Sequence, residues 1–220
     1  EIKDSIMRRD KMWNDRIFYY KRLKYGKDRE IRFYERLKDT NLTPEFKIID
    51  CPGQETKILK TKAYPYTFDQ FIKKYKDDSD IIIEEIIKIV KKLIKLDKIL
   101  IRHGDVHGEN IVTDDFDCTD WRFIDFEYSL LYDDSGNAID FPESIDDAYD
   151  PDATLKYNPY RDILQFEYYL YSYPSIYVIF DLPTEYRDDF EKEYIGSAEL
   201  DDLQVYISEK TTNPIHISFN

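Results

Sequence analysis

The stretch that most constrains this chain is residues 80–101, where Ile82, Ile86, Ile89, Leu93, Leu96 and Leu100 recur at steps of four and three. That spacing lines one face of an α-helix. Ser79 or Asp80 suits its N-cap, and Glu84 and Glu85 suit the positive end of its dipole. Isoleucines at 81, 83, 87 and 94 widen the apolar surface beyond one stripe, which predicts a helix buried centrally in its part of the fold. A helix of that kind needs partners, and the rest of the sequence has to supply them.

With 220 residues, the chain suits one compact domain or two small lobes. Aromatic residues make up 16%, with 20 Tyr and 13 Phe, so a packed core is expected despite the charge. Lys and Arg number 32 and Asp and Glu 46, a net charge of 32 − 46 = −14. Polyanions are repelled by such a surface, which argues against nucleic-acid and membrane partners and leaves room for cationic acceptors and metal ions. Cys51 and Cys118 stand far apart with no Cys or His at ligand spacing, which argues against a disulfide framework or a cysteine zinc site and favours an intracellular, cytoplasmic setting. No run approaches 18 apolar residues, and the basic start at Arg8, Arg9 and Lys11 leads into no signal-type apolar segment.

Upstream of the long helix, residues 17–23 (IFYYKRL) read as a strand ended by Tyr25-Gly26, and residues 28–39 as a helix with Ile31, Tyr34 and Leu37 on one side. Residues 46–49 and 56–59 read as strands joined by a turn at Pro52-Gly53. Thr67 and Gln70 form a capping-box pair opening a short helix to about Lys76. Downstream, residues 111–113 and 122–125 read as short strands around an acidic loop at 114–120. Residues 129–158 then read as a long surface loop and 162–171 as a helix, while the remainder carries no clear pattern. These elements predict an α+β architecture, strand-rich first and mainly helical afterwards.

The segment Ile101-Arg102-His103-Gly104-Asp105-Val106-His107-Gly108-Glu109-Asn110-Ile111-Val112 links the long helix to a strand. Twenty residues after Asp105 comes Asp125, within Phe123-Ile124-Asp125-Phe126-Glu127-Tyr128-Ser129. Asp105, Asn110 and Asp125 therefore fall on loops flanking one short hairpin. Hard oxygen donors there, with a carboxylate for an attacking hydroxyl, are what phosphoryl transfer requires.

The H-G-D-x-x-x-x-N pattern with a downstream I-D-F resembles the aminoglycoside phosphotransferase and choline kinase group of protein-kinase-like enzymes. IDFEYS in particular is similar to choline and ethanolamine kinases. The resemblance implies a bilobal protein-kinase-like fold, with a reduced N-terminal lobe over residues 1–62 that covers the nucleotide and a helical catalytic lobe over 63–220. It implies ATP and Mg²⁺ as cofactors and a hydroxyl-bearing acceptor. Asp105 would be the catalytic aspartate, and Asn110 and Asp125 would hold the metal. Glu30 resembles the helix glutamate that pairs with a phosphate-contacting strand lysine, which is Lys21 or its competitor Lys24. Lys62, Ala63 and Tyr64 fall where the interlobe hinge would run, with backbone groups for the adenine. Asp162 resembles the aspartate that bonds the catalytic-loop backbone. His103 would shape that loop, and His107 would orient Asp105 or fill space.

The chain also departs from that pattern. Its six glycines form no Gly-rich phosphate loop, and sixteen residues precede the lysine strand. A small-molecule kinase is the leading expectation, with a protein Ser/Thr kinase and a catalytically weak pseudokinase as alternatives. Phe141-Pro142-Glu143, near Ser129, Tyr132, Ser135 and Ser144, is similar to the A-P-E of protein kinases but too short to weigh. The acidic run at 133–152 reads as a solvated loop, or else as a collar for a cationic acceptor.

Overall fold

The computed structural model describes residues 12–14, 17–23, 29–51, 53, 56–140, 156–173, 176–194 and 214–218. Lys24, the Tyr25-Gly26 stop, Pro52, the Phe141-Pro142-Glu143 segment, Ser144 and the acidic run beyond residue 140 lie outside the described residues. The architecture is mixed α/β, and the chain divides into two compact units: Glu1–Phe71 with Glu109–Glu127, and Ile72–Gly108 with Tyr128–Asn220.

The first unit carries an antiparallel sheet in the order β1-β2-β4-β3, formed by β1 (Met12–Asn14), β2 (Phe18–Leu23), β3 (Phe46–Asp50) and β4 (Lys57–Lys62). In β2, Lys21 lies opposite Leu59 of β4, which sets it in the middle of the sheet. The β4 strand runs to Lys62, three residues past its expected end, because Lys57–Lys62 pairs with β2 along its whole length. Helix α1 (Arg29–Arg36) buries Glu30, Phe33, Tyr34 and, just past its end, Leu37, at helical spacings of three and four. Phe33 therefore joins the expected face of Ile31, Tyr34 and Leu37. A second sheet orders β5 (Tyr66–Thr67), β7 (Ile111–Thr113) and β8 (Arg122–Phe123) as β5-β7-β8.

Helix α2 (Phe68–Lys74) opens with the expected capping box: the Thr67 amide donates to Gln70 Oε1 at 3.1 Å, and the Gln70 amide to Thr67 Oγ1 at 3.2 Å. Phe68 and Phe71 stand edge-on to Trp121 at 5.3 and 5.6 Å. With the β5–β7 pairing, this aromatic cluster draws residues 63–71 and 109–127 into the first unit, whereas the sequence division at 62/63 assigns them to the second.

In the second unit, helix α3 (Ser79–Lys98) is the long periodic helix. Ile82, Ile86, Ile89 and Leu96 are fully buried, and Leu93 nearly so. Its cap is Asp78, whose carboxylate accepts from the Ile81 amide at 3.3 Å, rather than Ser79 or Asp80. Ile81 is 37% exposed, so the helix is covered on one broad side rather than all round. Leu100 lies beyond it at φ 59°, in the turn into β6 (Ile101–Arg102).

Part of the expected loop after residue 129 is a hairpin, β9 (Leu130–Tyr132) and β10 (Ala138–Asp140), turned at Asp133, whose Oδ1 accepts from the Ser135 and Asn137 amides. These strands have three residues each, too few to show an alternation. Helix α4 (Arg161–Leu170) follows, then β11 (Val178–Asp181), α5 (Thr184–Tyr194) and β12 (Ile215–Ser218), with β11 and β12 parallel. The second unit is thus less purely helical than expected. Among the described residues, no helix is long and apolar enough to cross a membrane.

Candidate active site

In the first unit the central feature is Lys21. Its neighbours Tyr20 and Leu23 are buried in the core, and its own side chain is 8% exposed. A buried ammonium needs charged partners, and three carboxylates provide them. Nζ lies 2.8 Å from Glu30 Oε2, 2.7 Å from Asp125 Oδ1 and 3.4 Å from Glu127 Oε2. Burial pushes the ammonium towards its neutral form, but Glu30 and then Asp125 outweigh it and hold the pKa above the ordinary lysine value. Burial raises the Glu30 carboxyl above its usual range, although Lys21 pulls the other way. Lys21 is therefore the lysine that meets Glu30 among the described residues.

The aromatic residues explain this convergence. Phe126 is fully buried, lies parallel to the Phe33 ring at 6.3 Å, and meets Tyr34 edge-on at 5.4 Å. The Phe of the I-D-F-E segment thus packs on the same helical face that carries Glu30, which ties Asp125 to α1. Asp125 itself has φ 62°, an uncommon backbone region for a residue other than glycine, and one that concentrates at functional positions. Arg29 Nη1 donates to the Glu127 carbonyl at 3.0 Å, bracing the same turn. Glu127 is a third carboxylate on Lys21, one outside the set expected from the sequence.

Asn110 is buried and ends the turn that leads into β7. The Ile124 amide donates to the Asn110 carbonyl at 3.0 Å, so residues 110 and 124 face each other across the end of the hairpin, with Asp125 next along. Among the described residues, no group of three His, Cys, Asp or Glu side chains is arranged to hold a metal ion. One carboxylate and one carboxamide do fit Mg²⁺, which completes its shell with phosphate oxygens and water rather than with an all-protein cage. Formal charges at the Lys21 cluster sum to 1 − 3 = −2, a balance that a divalent cation would offset.

Of the three residues expected to meet the adenine, Lys62 ends β4. Its amide donates to the Glu45 carbonyl and that of Ala63 to the Ile17 carbonyl, both at 2.8 Å. Those two N–H groups are committed within the protein, which narrows the expected contact with a base to the carbonyls and to Tyr64. Lys62 Nζ pairs with Asp114.

Asp105 belongs to the second unit, on the loop after β6. Its side chain is 34% exposed, and His107 Nε2 lies 3.5 Å from its Oδ2. The loop is fixed through its backbone. Asp162 on α4 accepts from the His103 amide at 2.6 Å and the Gly104 amide at 3.0 Å, the contact expected of it. His103 is fully buried; its carbonyl accepts from Ser129 Oγ at 2.8 Å and its Nδ1 from the Asp105 amide at 3.3 Å. It shapes the loop. Gly104 has φ 81°, and a Cβ there would lie 2.3 Å from the Tyr128 carbonyl oxygen, so the position requires glycine.

No family model and no curated protein matches the chain. Among solved structures, the chain is similar to that of the Cydia pomonella granulovirus kinase PK-1, with a TM-score of 0.53 and 17% identity. The match covers 87% of this chain and 70% of the viral kinase. The chain therefore has a protein-kinase-like fold.

Proposed function

We propose that this chain is an ATP- and Mg²⁺-dependent phosphotransferase that moves the γ-phosphate to a hydroxyl acceptor, a small molecule of the kind taken by the aminoglycoside phosphotransferase and choline kinase group. The observation that supports it most is the Lys21–Glu30 ion pair at 2.8 Å, joined to Asp125 at 2.7 Å. In this reading Lys21 donates to phosphate oxygens while Glu30 holds its ammonium in place. Asn110 and Asp125 hold magnesium, which neutralises phosphate charge when bound. Asp105 accepts the proton of the acceptor hydroxyl as the new P–O bond forms and ADP leaves. Most of the acceleration comes from positioning and charge neutralisation.

A screen with γ-³²P-ATP over amine alcohols, aminoglycosides, sugars and basic proteins tests this reading. Transfer to one small acceptor, abolished by Asp105→Ala, is expected; full turnover by that variant overturns the role of Asp105, and labelling confined to the basic proteins moves the acceptor to protein hydroxyls. A second reading, a pseudokinase acting as a binding module, is favoured by the absence of a Gly-rich motif from the sequence. That reading predicts no transfer to any acceptor.

A further inference from the structure

The Asp105 backbone is bracketed by a residue that no pattern in the sequence singled out. The Gln165 amide on α4 reaches the peptide groups on both sides of Asp105: its Nε2 donates to the Gly104 carbonyl at 3.2 Å, and its Oε1 accepts from the Val106 amide at 2.9 Å. A carbonyl on one side and an N–H on the other fix which end of the carboxamide points where. Gln165 lies three residues after Asp162, on the same helical face. One face of α4 thus holds three residues of the loop, on both sides of Asp105: 103 and 104 through Asp162, and 104 and 106 through Gln165.

We propose that Gln165 is a positioning residue for Asp105, which rests on the phosphotransferase reading above. Asp162 anchors the loop ahead of residue 105, and the Asp105 amide turns back onto His103 Nδ1 on that same side. Gln165 adds an anchor on the other side by tying the peptide after Asp105 to the same helix. The carboxylate then projects from a backbone fixed on both sides, as an accurately placed proton acceptor requires.

Two variants and two readouts test the assignment. Gln165→Leu keeps the bulk and loses both hydrogen bonds; Gln165→Glu keeps an acceptor for Val106 and loses the donor to Gly104. Amide hydrogen exchange at Val106 reads the clamp without any turnover, and kcat and KM for MgATP, with water or an identified acceptor, read its consequence. In Gln165→Leu, Val106 is expected to exchange at least about tenfold faster while α3 stays protected, and kcat to fall by about 10- to 100-fold with KM for ATP nearly constant. Gln165→Glu is expected to keep Val106 protection and lose part of kcat. Wild-type exchange at Val106 in Gln165→Leu, or a kcat within about twofold of wild type, overturns the proposal. If the wild-type protein turns over no ATP, the phosphotransferase reading falls, and the exchange result alone decides whether Gln165 holds the loop.

Discussion

Replacing Lys21 with methionine keeps most of the aliphatic stem and removes the ammonium from among three carboxylates. Glu30, 5% exposed, then loses the cation that holds its charge. Removing one partner of a buried pair typically costs about 3–5 kcal/mol. Glu30 can escape part of that cost by taking up a proton, which caps the loss at about 1.4 kcal/mol for each pH unit above its unfolded pKa. Burial already raises that pKa, and losing Lys21 raises it further. A carboxyl whose folded pKa exceeds its unfolded value is least costly at acid pH, and stability falls as pH rises from the unfolded to the folded value. Lys21→Met should therefore lose about 3 kcal/mol at pH 8, or about 6–12 °C in Tm for a chain of this size, and about 1 kcal/mol at pH 5. Glu30→Gln leaves Lys21 its bond to Asp125 and should cost about 1 kcal/mol or less at both pH values. Urea denaturation of both variants and the double mutant at pH 5 and 8 measures this, and the double mutant should recover part of the loss. Equal costs for the two single variants, or a Lys21→Met cost that does not change with pH, would refute the reasoning.

Other outcomes follow from the loop and the core. Gly104→Ala places a Cβ 2.3 Å from a backbone oxygen at a positive φ, so it should lower stability by about 2 kcal/mol or more and abolish transfer, measured by thermal melts and turnover. Asp162→Ala strips the acceptors from the His103 and Gly104 amides; it should cost about 3 kcal/mol in urea denaturation and speed exchange at both amides. Trp121→Ala empties a fully buried aromatic site and should cost about 3–5 kcal/mol in the same assay.

The parts of the fold legible in the sequence are those whose signal is local. The α3 face and the Thr67–Gln70 box depend on spacings of three and four within one helix, and both stand in the structure. The choice of cap was not legible, since Asp78, Ser79 and Asp80 are consecutive cap-forming residues and only the bond to the Ile81 amide selects the first. Lys21 and Glu30 could be paired through the family resemblance, and the role of Asp162 likewise. Glu127 and Gln165 could not, because each acts by reaching chain about 100 and 60 residues away in sequence with no periodic trace. The β9–β10 hairpin was missed for the opposite reason: its order lies in a turn built by one Asp133 carboxylate, flanked by strands too short to alternate.

The claim on which the account depends is that the first unit holds the nucleotide's phosphates with magnesium through Lys21, Asn110 and Asp125. A Tm titration with ATP, with and without Mg²⁺, on the wild-type chain and on Asp125→Ala tests it most directly, because a ligand at 100 times its Kd adds about 2.7 kcal/mol to the native state. The account predicts a magnesium-dependent rise of several degrees in the wild type that Asp125→Ala loses. A wild-type Tm indifferent to magnesium at millimolar ATP, or an equal rise in Asp125→Ala, would contradict it.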